Sequence, residues 1–348
     1  MANSQAEATR LNTEQYVQDI LESIERERER EIIARRFGLF DRKETLEQIG
    51  ELLGITRERV RQLEKAVVAR LRAQAEQGQV AHVKEVERAF VDALSHMGNA
   101  ARVSALAAQL TAENTRTDQS RIAFLAELCP SLTTIEDNDH YHYAVGLHTI
   151  RDEKAMKAAI TQLIDAIKKI GEAAPIDAAA KAADIDNKDE ARSLASVSKD
   201  LATLNGRWGL VKWPTVNPKN IRDKIYVILK ENGQHMHFNE IAQSIKESDF
   251  KRKDVTTQAI HNELIKDKRF VLIGRGIYAL KEWGYQKGTV ADIITEVLRE
   301  AGEPLHRDEI VKRVLKSRFV KETTILLNLQ GKTQFKRVAK ATYALQED

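Results

Sequence analysis

Two apolar stripes of helical period stand near the start of the chain. Leu46, Ile49 and Leu53 form the first, and Val60, Leu63 and Val67 the second. Each recurs as one face of a helix does. Gly54 lies between them, where a left-handed residue can end a helix, and Thr56 is placed to cap the next one. The pattern predicts two short helices joined by a glycine turn, a helix-turn-helix. A further short helix is predicted over 15–24, and the polar residues 1–12 are read as a disordered N-terminus. The alternating Arg and Glu of 26–31 read as a solvated helical face with i, i+4 pairing.

After residue 80 the pattern repeats four times. Each unit closes on an aromatic-led triplet: Tyr143-Ala144-Val145, Trp208-Gly209-Leu210, Tyr278-Ala279-Leu280 and Tyr343-Ala344-Leu345. Each opens with a periodic helix ending near a glycine, at Gly98, Gly171, Gly233 and Gly302. A short apolar step, a second helix and a third helix follow. Two β-rich runs joined by a turn complete the unit, most plainly Phe270–Ile273 and Ile277–Leu280 around Gly274-Arg275-Gly276.

The predicted fold is mainly α: a helix-turn-helix domain followed by tandem winged-helix domains, each of three helices plus a β-hairpin. The boundaries are 13–78 for the first domain, then 82–148, 152–214, 218–285 and 288–348. Each repeat is long enough to hold a small core, so they are expected as beads on short connectors.

Composition narrows the chemistry. No apolar run approaches the ~20 residues of a membrane span. A single cysteine, Cys129, rules out an internal disulfide and a multi-cysteine zinc site. A reduced, cytoplasmic setting fits. There is no Walker loop, GxGxxG or GxSxG, so neither an enzyme, a small-molecule substrate nor a cofactor is expected. His235-x-His237 suggests a metal, but His306 repeats His237 while Pro304 stands in the place of His235. A repeated position argues for a structural device, and no metal is expected.

Charge is unevenly spread. Segment 26–76 carries +3, 82–150 carries −4, 217–287 carries +5 and 288–348 carries +2. Phosphate binding needs local positive potential, which favours the helix-turn-helix and the third repeat. On the second helix of the helix-turn-helix, Arg57, Glu58, Arg61, Gln62 and Lys65 fall opposite the apolar stripe. Arg suits guanine, Gln adenine and Glu cytosine, and the first turns of such a helix meet base edges. In the third repeat Lys251-Arg252-Lys253 reads either as solvated charge or as a phosphate clamp beside Arg275 in the wing. Gln258, His261 and Asn262 are that unit's polar candidates on its third helix. The acidic wing of the first repeat, with Glu136, Asp137 and Asp139, is expected to face protein or solvent.

The run Arg35-Arg36-Phe37-Gly38-Leu39, continued from Thr45 through Glu64, resembles region 4 of sigma-70-type bacterial sigma factors over about 14–75. That module reads the promoter element near position minus 35, and the resemblance implies DNA contact by Arg57, Glu58, Arg61 and Gln62. The last two repeats resemble HARE-HTH winged helices, clearly over 218–346, and 82–213 looks like diverged copies. Such modules also occur in the delta subunit of bacterial RNA polymerase and in DNA modification and restriction systems. Sigma factors also carry a region 2 that melts the promoter. These residues show no counterpart, since Tyr16, Phe37 and Phe40 are the aromatics before residue 80. The expectation is a nucleoid-associated transcription regulator that binds promoter-like double-stranded DNA and RNA polymerase core without melting. The alternatives are a delta-like docking subunit of the polymerase and a DNA-binding component of a modification or restriction system.

Overall fold

The computed structural model describes residues 10–346. They form two compact bodies, one ending at Lys212 and one beginning at Trp213. Most of both is helical.

The first body starts with α1 (Thr13–Glu22), α2 (Glu27–Phe37), α3 (Leu46–Leu53) and α4 (Arg57–Glu76). Next come α5 (Val83–His96), β1 (Ala100–Arg102), α6 (Val103–Leu110), α7 (Arg116–Leu128), β2 (Leu132–Ile135) and β3 (Ala144–Leu147). A second unit of the same order closes the body: α8 (Glu153–Ile170), β4 (Ala174–Pro175), α9 (Ile176–Ala182), α10 (Lys188–Val197), β5 (Leu201–Leu204) and β6 (Arg207–Leu210).

The second body repeats the order twice. Its first unit is α11 (Ile221–Asn232), β7 (Met236–His237), α12 (Phe238–Glu247), α13 (Thr257–Lys266), β8 (Phe270–Gly274) and β9 (Ile277–Leu280). Its second is α14 (Val290–Ala301), β10 (Leu305–His306), α15 (Arg307–Ser317), α16 (Glu322–Gly331), β11 (Phe335–Ala339) and β12 (Thr342–Leu345).

In all four units the last strand lies in the middle of a three-stranded antiparallel sheet. The short apolar step after the first helix is the third strand, so the sheet is wider than the hairpin read from the sequence. Trp208, Tyr278 and Tyr343 hold one register, facing Ala174, Met236 and Leu305. Tyr143 departs from it. Val145 occupies the matching register opposite Ala101, while the Tyr143 carbonyl accepts from Val103 N, the role played by Gly276 and Ala341 in the second body. The triplet similarity therefore places the first unit two residues out of phase.

His237 and His306 start α12 and α15 as N-caps, each imidazole accepting from a backbone N–H two residues on. That satisfies donors a helix start leaves orphaned and accounts for the repeat of this residue.

The picture of separate beads does not describe the first body. Leu11, Val17, Ile20 and Leu21 at the N-terminus, with Val67, Leu71 and Ala75 of α4, share one core with Phe90, Leu106, Phe124 and Leu128. Phe37 meets Phe124 edge-on at 5.1 Å between centroids. The buried Arg121 guanidinium donates to the Leu39 carbonyl at 2.9 Å. Leu11 and Asn12 belong to this arrangement: Leu11 N donates to Leu110 O, and Asn12 caps α1. Of the stretch expected to be disordered, residues 1–9 lie outside the described residues.

The second unit packs on the first just as closely. The loop before β3 pairs with the segment after α10: His142 N donates to Val197 O, Lys199 N donates to His140 O, and Tyr141 bridges Ser198. Gly98, at φ +83, lies against the Asp189 backbone, where an added Cβ would overlap the carbonyl. One acid of the wing meets protein there, Asp137 taking Lys199 as a partner at 2.9 Å, while Glu136 and Asp139 stay exposed.

Candidate nucleic-acid interface

Local signals build the helix-turn-helix. Thr45 and Gln48 form a capping box at the start of α3. Gly54 ends it in the left-handed region, and Ile55 N returns to Gly50 O at 2.9 Å. Thr56 Oγ1 accepts from Arg59 N at 3.2 Å and starts α4. Ile32, Ile49 and Val60 are fully buried together, with Leu46, Leu53, Ile55 and Leu63 around them.

Ion pairs fix α2 against this core. Glu29 is buried and takes both Arg26 at 3.4 Å and Arg70 at 2.6 Å. Arg36 meets Glu64 at 3.1 Å, and Arg28 donates to the Leu53 carbonyl at the end of α3. A buried carboxylate needs such partners to offset its lost hydration.

The opposite face of α4 is open. Arg57, Glu58, Gln62 and Lys65 are exposed and Arg61 is half-exposed. They are organised before any ligand arrives. Arg61 donates to Glu58 through Nε at 2.9 Å and Nη2 at 2.6 Å. Gln62 Nε2 adds a longer bond to the same carboxylate, and Arg59 reaches the Gln62 oxygen, both at 3.4 Å. The Arg61 hydrogen bonds hold the Glu58 carboxyl below its usual range, and Glu58 in turn raises the guanidinium. Glu58 is therefore an ionised acceptor, and Arg61 keeps N–H groups free for a base edge or phosphate. Arg57 lies 4.0 Å from Glu47 of α3.

α4 itself is 20 residues long, about 30 Å at 1.5 Å per residue. Its first half closes the helix-turn-helix core and its second half enters the core of the first repeat.

The candidates in the third repeat do not converge as one clamp. Lys251, Arg252 and Lys253 are exposed on the loop after α12. Their backbone is held by the buried Lys224, whose Nζ donates to the carbonyls of Lys251 and Arg252 at 2.9 and 2.7 Å. Burial lowers the Lys224 pKa. Arg275 sits at the β8–β9 turn, where Gly276 O accepts from Phe238 N at the other end of α12. A helix of ten residues separates the two sites, about 15 Å. Gln258 and Asn262 are exposed and bonded to each other at 3.1 Å. His261 instead packs against Phe238 and Tyr278, with centroids 5.1 and 6.2 Å away. The outer edge of this wing is covered, because Phe319 N donates to Ile273 O at 3.2 Å and Arg318 to Leu272 O at 2.6 Å.

The charge of the fourth unit is divided in a way its sum hides: 288–309 carries −4 and 310–348 carries +6, which add to the +2 of the whole. A window half as long would have shown it. Among the described residues no cluster of His, Cys, Asp and Glu is placed to hold a metal ion, and no helix is long and apolar enough to cross a membrane. Cys129 is buried, and burial pushes its thiol well above the ordinary range.

Residues 26–73 match the family model for Sigma-70, region 4. Over 59 residues the chain is 43% identical to the RNA polymerase sigma factor SigA of a Bacillus species, covering 17% of this chain and 15% of that protein. Over the same length it is 44% identical to the RNA polymerase sigma factor RpoD of Helicobacter pylori in two strains, covering 16% of this chain and 9% or 8% of theirs. The chain thus spans less than a sixth of the length of the curated relatives it matches.

Proposed function

We propose that this protein is a non-enzymatic transcription regulator that reads promoter-like double-stranded DNA with α4 and docks on RNA polymerase core. One observation carries the reading. The stretch that matches Sigma-70 region 4 folds here as a capped helix-turn-helix whose second helix turns Arg57, Glu58, Arg61, Gln62 and Lys65 outward together. Those side chains can serve as donors and acceptors to base edges in a major groove.

The four following units are read as winged helices of the HARE-HTH type. Three helices and a three-stranded sheet with the closing strand in the centre support this in each unit. Their role is to carry the reading head and to add contacts with DNA or polymerase, which would place the protein on the nucleoid.

The test is selection of a preferred duplex from a random pool, followed by binding of Arg61→Ala and Gln62→Ala. Each should cost ~1–3 kcal/mol on the selected site and relax preference at one base position. Wild-type affinity and preference in both variants would refute base reading by α4. Capture of RNA polymerase core on the tagged protein tests docking, and failure to retain it at low salt would remove that half.

A further inference from the structure

The net positive charge of the second body is concentrated in one stretch of its last unit. Nine cationic side chains stand between Lys312 and Lys340, against one carboxylate, Glu322. Arg313 pairs with Glu309 at 2.7 Å, and Arg318 is occupied by the Leu272 carbonyl. The other seven form no ion pair with any described residue. Four of them, Lys332, Lys336, Arg337 and Lys340, lie on β11 and its flanks, and all four are exposed.

Like charges left unneutralised on one small unit repel one another. Lysine on an edge strand also serves to block strand addition, and β11 is an edge strand. That need explains one or two cations, not this number. The equivalent edge strand β8 has no charge within its five residues, because the Arg318–Phe319 segment covers it. Here the outer side of the sheet stays open, with Val338 and, on α16, Leu327 also exposed.

The geometry suits a polymer of regularly spaced anions. The ribbon from Lys332 to Lys340 extends roughly 20 Å or more, and duplex DNA presents a charge every ~1.7 Å of axis. Binding of single strands uses aromatic platforms. The aromatics of this sheet, Phe335 and Tyr343, are buried in the unit's own core. Among the described residues of this sheet no base-stacking surface accompanies the cations, which argues for a duplex held by its backbone.

We propose that β11 and its flanks form a second duplex-DNA surface, which grips the phosphate backbone without reading sequence. The proposal rests on the α4 reading only for the choice of DNA as the polymer. Its chemistry is independent of that helix.

The test uses the full chain and a labelled duplex of about 30 base pairs, titrated from low to moderate potassium chloride. The variant combines Lys332→Ala, Lys336→Ala, Arg337→Ala and Lys340→Ala. Loss of four phosphate contacts should reduce the slope of log K against log salt by about 3 and weaken binding at least tenfold near 0.1 M salt, with the ranking of duplex sequences unchanged. A companion with Lys332→Arg, Lys336→Arg, Arg337→Lys and Lys340→Arg should keep the slope, which separates charge from folding. A wild-type slope in the alanine variant overturns the proposal, as does tighter binding of an RNA duplex than of DNA through the same four residues. If the alanine variant loses slope while Arg61→Ala and Gln62→Ala change nothing, this surface stands and base reading by α4 falls.

Discussion

Arg61 grips Glu58 one turn back along α4 through two hydrogen bonds of 2.6 and 2.9 Å on the exposed face of the helix. The pair is a solvent-facing ion pair, so it adds little to stability. Its consequence is orientation. The carboxylate restrains the guanidinium, and the Arg61 charge restrains Glu58 from repelling a nearby phosphate.

Removing the carboxylate should therefore loosen selectivity more than affinity. Glu58→Ala frees Arg61 and removes one negative charge from the proposed DNA-facing surface. The expected outcome is equal or tighter binding to arbitrary duplexes, with discrimination at one base pair reduced by ~1–3 kcal/mol. Competition between the selected duplex and single-base variants measures it. Retained discrimination would mean that Glu58 does not orient the reading face.

The helix-turn-helix core is small enough for one residue to decide its stability. Ile49 is fully buried against Ile32 and Val60. Ile49→Ala should cost about 2–5 kcal/mol through lost burial and the cavity left behind. Urea unfolding of the full chain should show the loss in the first body and leave the transition of the second body in place. A loss below ~1 kcal/mol would mean that this cluster is not a packed core in solution.

Tyr16 offers a titration with a defined sign. Its hydroxyl donates to Glu85 at 2.6 Å, and that bond, with burial and the nearby negative charge, pushes the phenol up to about 12. Raised above the unfolded value, it stabilises the fold fully below pH ~10, and that contribution is lost as pH rises through about 12. Phenolate absorbance of wild type minus Tyr16→Phe should show this late step, and Glu85→Gln should bring it down. A Tyr16 step near 10 in the wild type would show the bond absent.

The shared core makes a prediction about fragments. An isolated 82–150 segment would expose the face of α7, Phe124 included, that packs against α1, α2 and α4. It should lack a cooperative thermal transition, whereas 1–212 should melt cooperatively. Independent cooperative folding of 82–150 would show that α1 to α4 only lean on that unit.

These cases mark where the chain could be read and where it could not. The helix-turn-helix was legible because its signals are local: Thr45, Gly54 and Thr56 each act within one turn of where they stand. The recurring order of three helices was legible from Trp208, Tyr278 and Tyr343, which share one register. Tyr143 misled because similarity of letters does not fix strand register, and a shift by two keeps a side chain on the same face. The apolar stripe of α4 was visible, but Val67 and Leu71 do not say which partner buries them. The cations of β11 disappear in a sum over 288–348, because six carboxylates stand between Asp292 and Glu309.

The length of α4 has a mechanical consequence. Its outer end carries the proposed reading face, and its inner end is clamped between α7 and the N-terminal helices. An uninterrupted helix transmits twist along its axis, so the reading face cannot swivel on its own. It behaves as a blade fixed in a handle. Whatever grips the handle, whether a polymerase surface or the backbone of neighbouring DNA, also sets the angle at which the blade enters the groove.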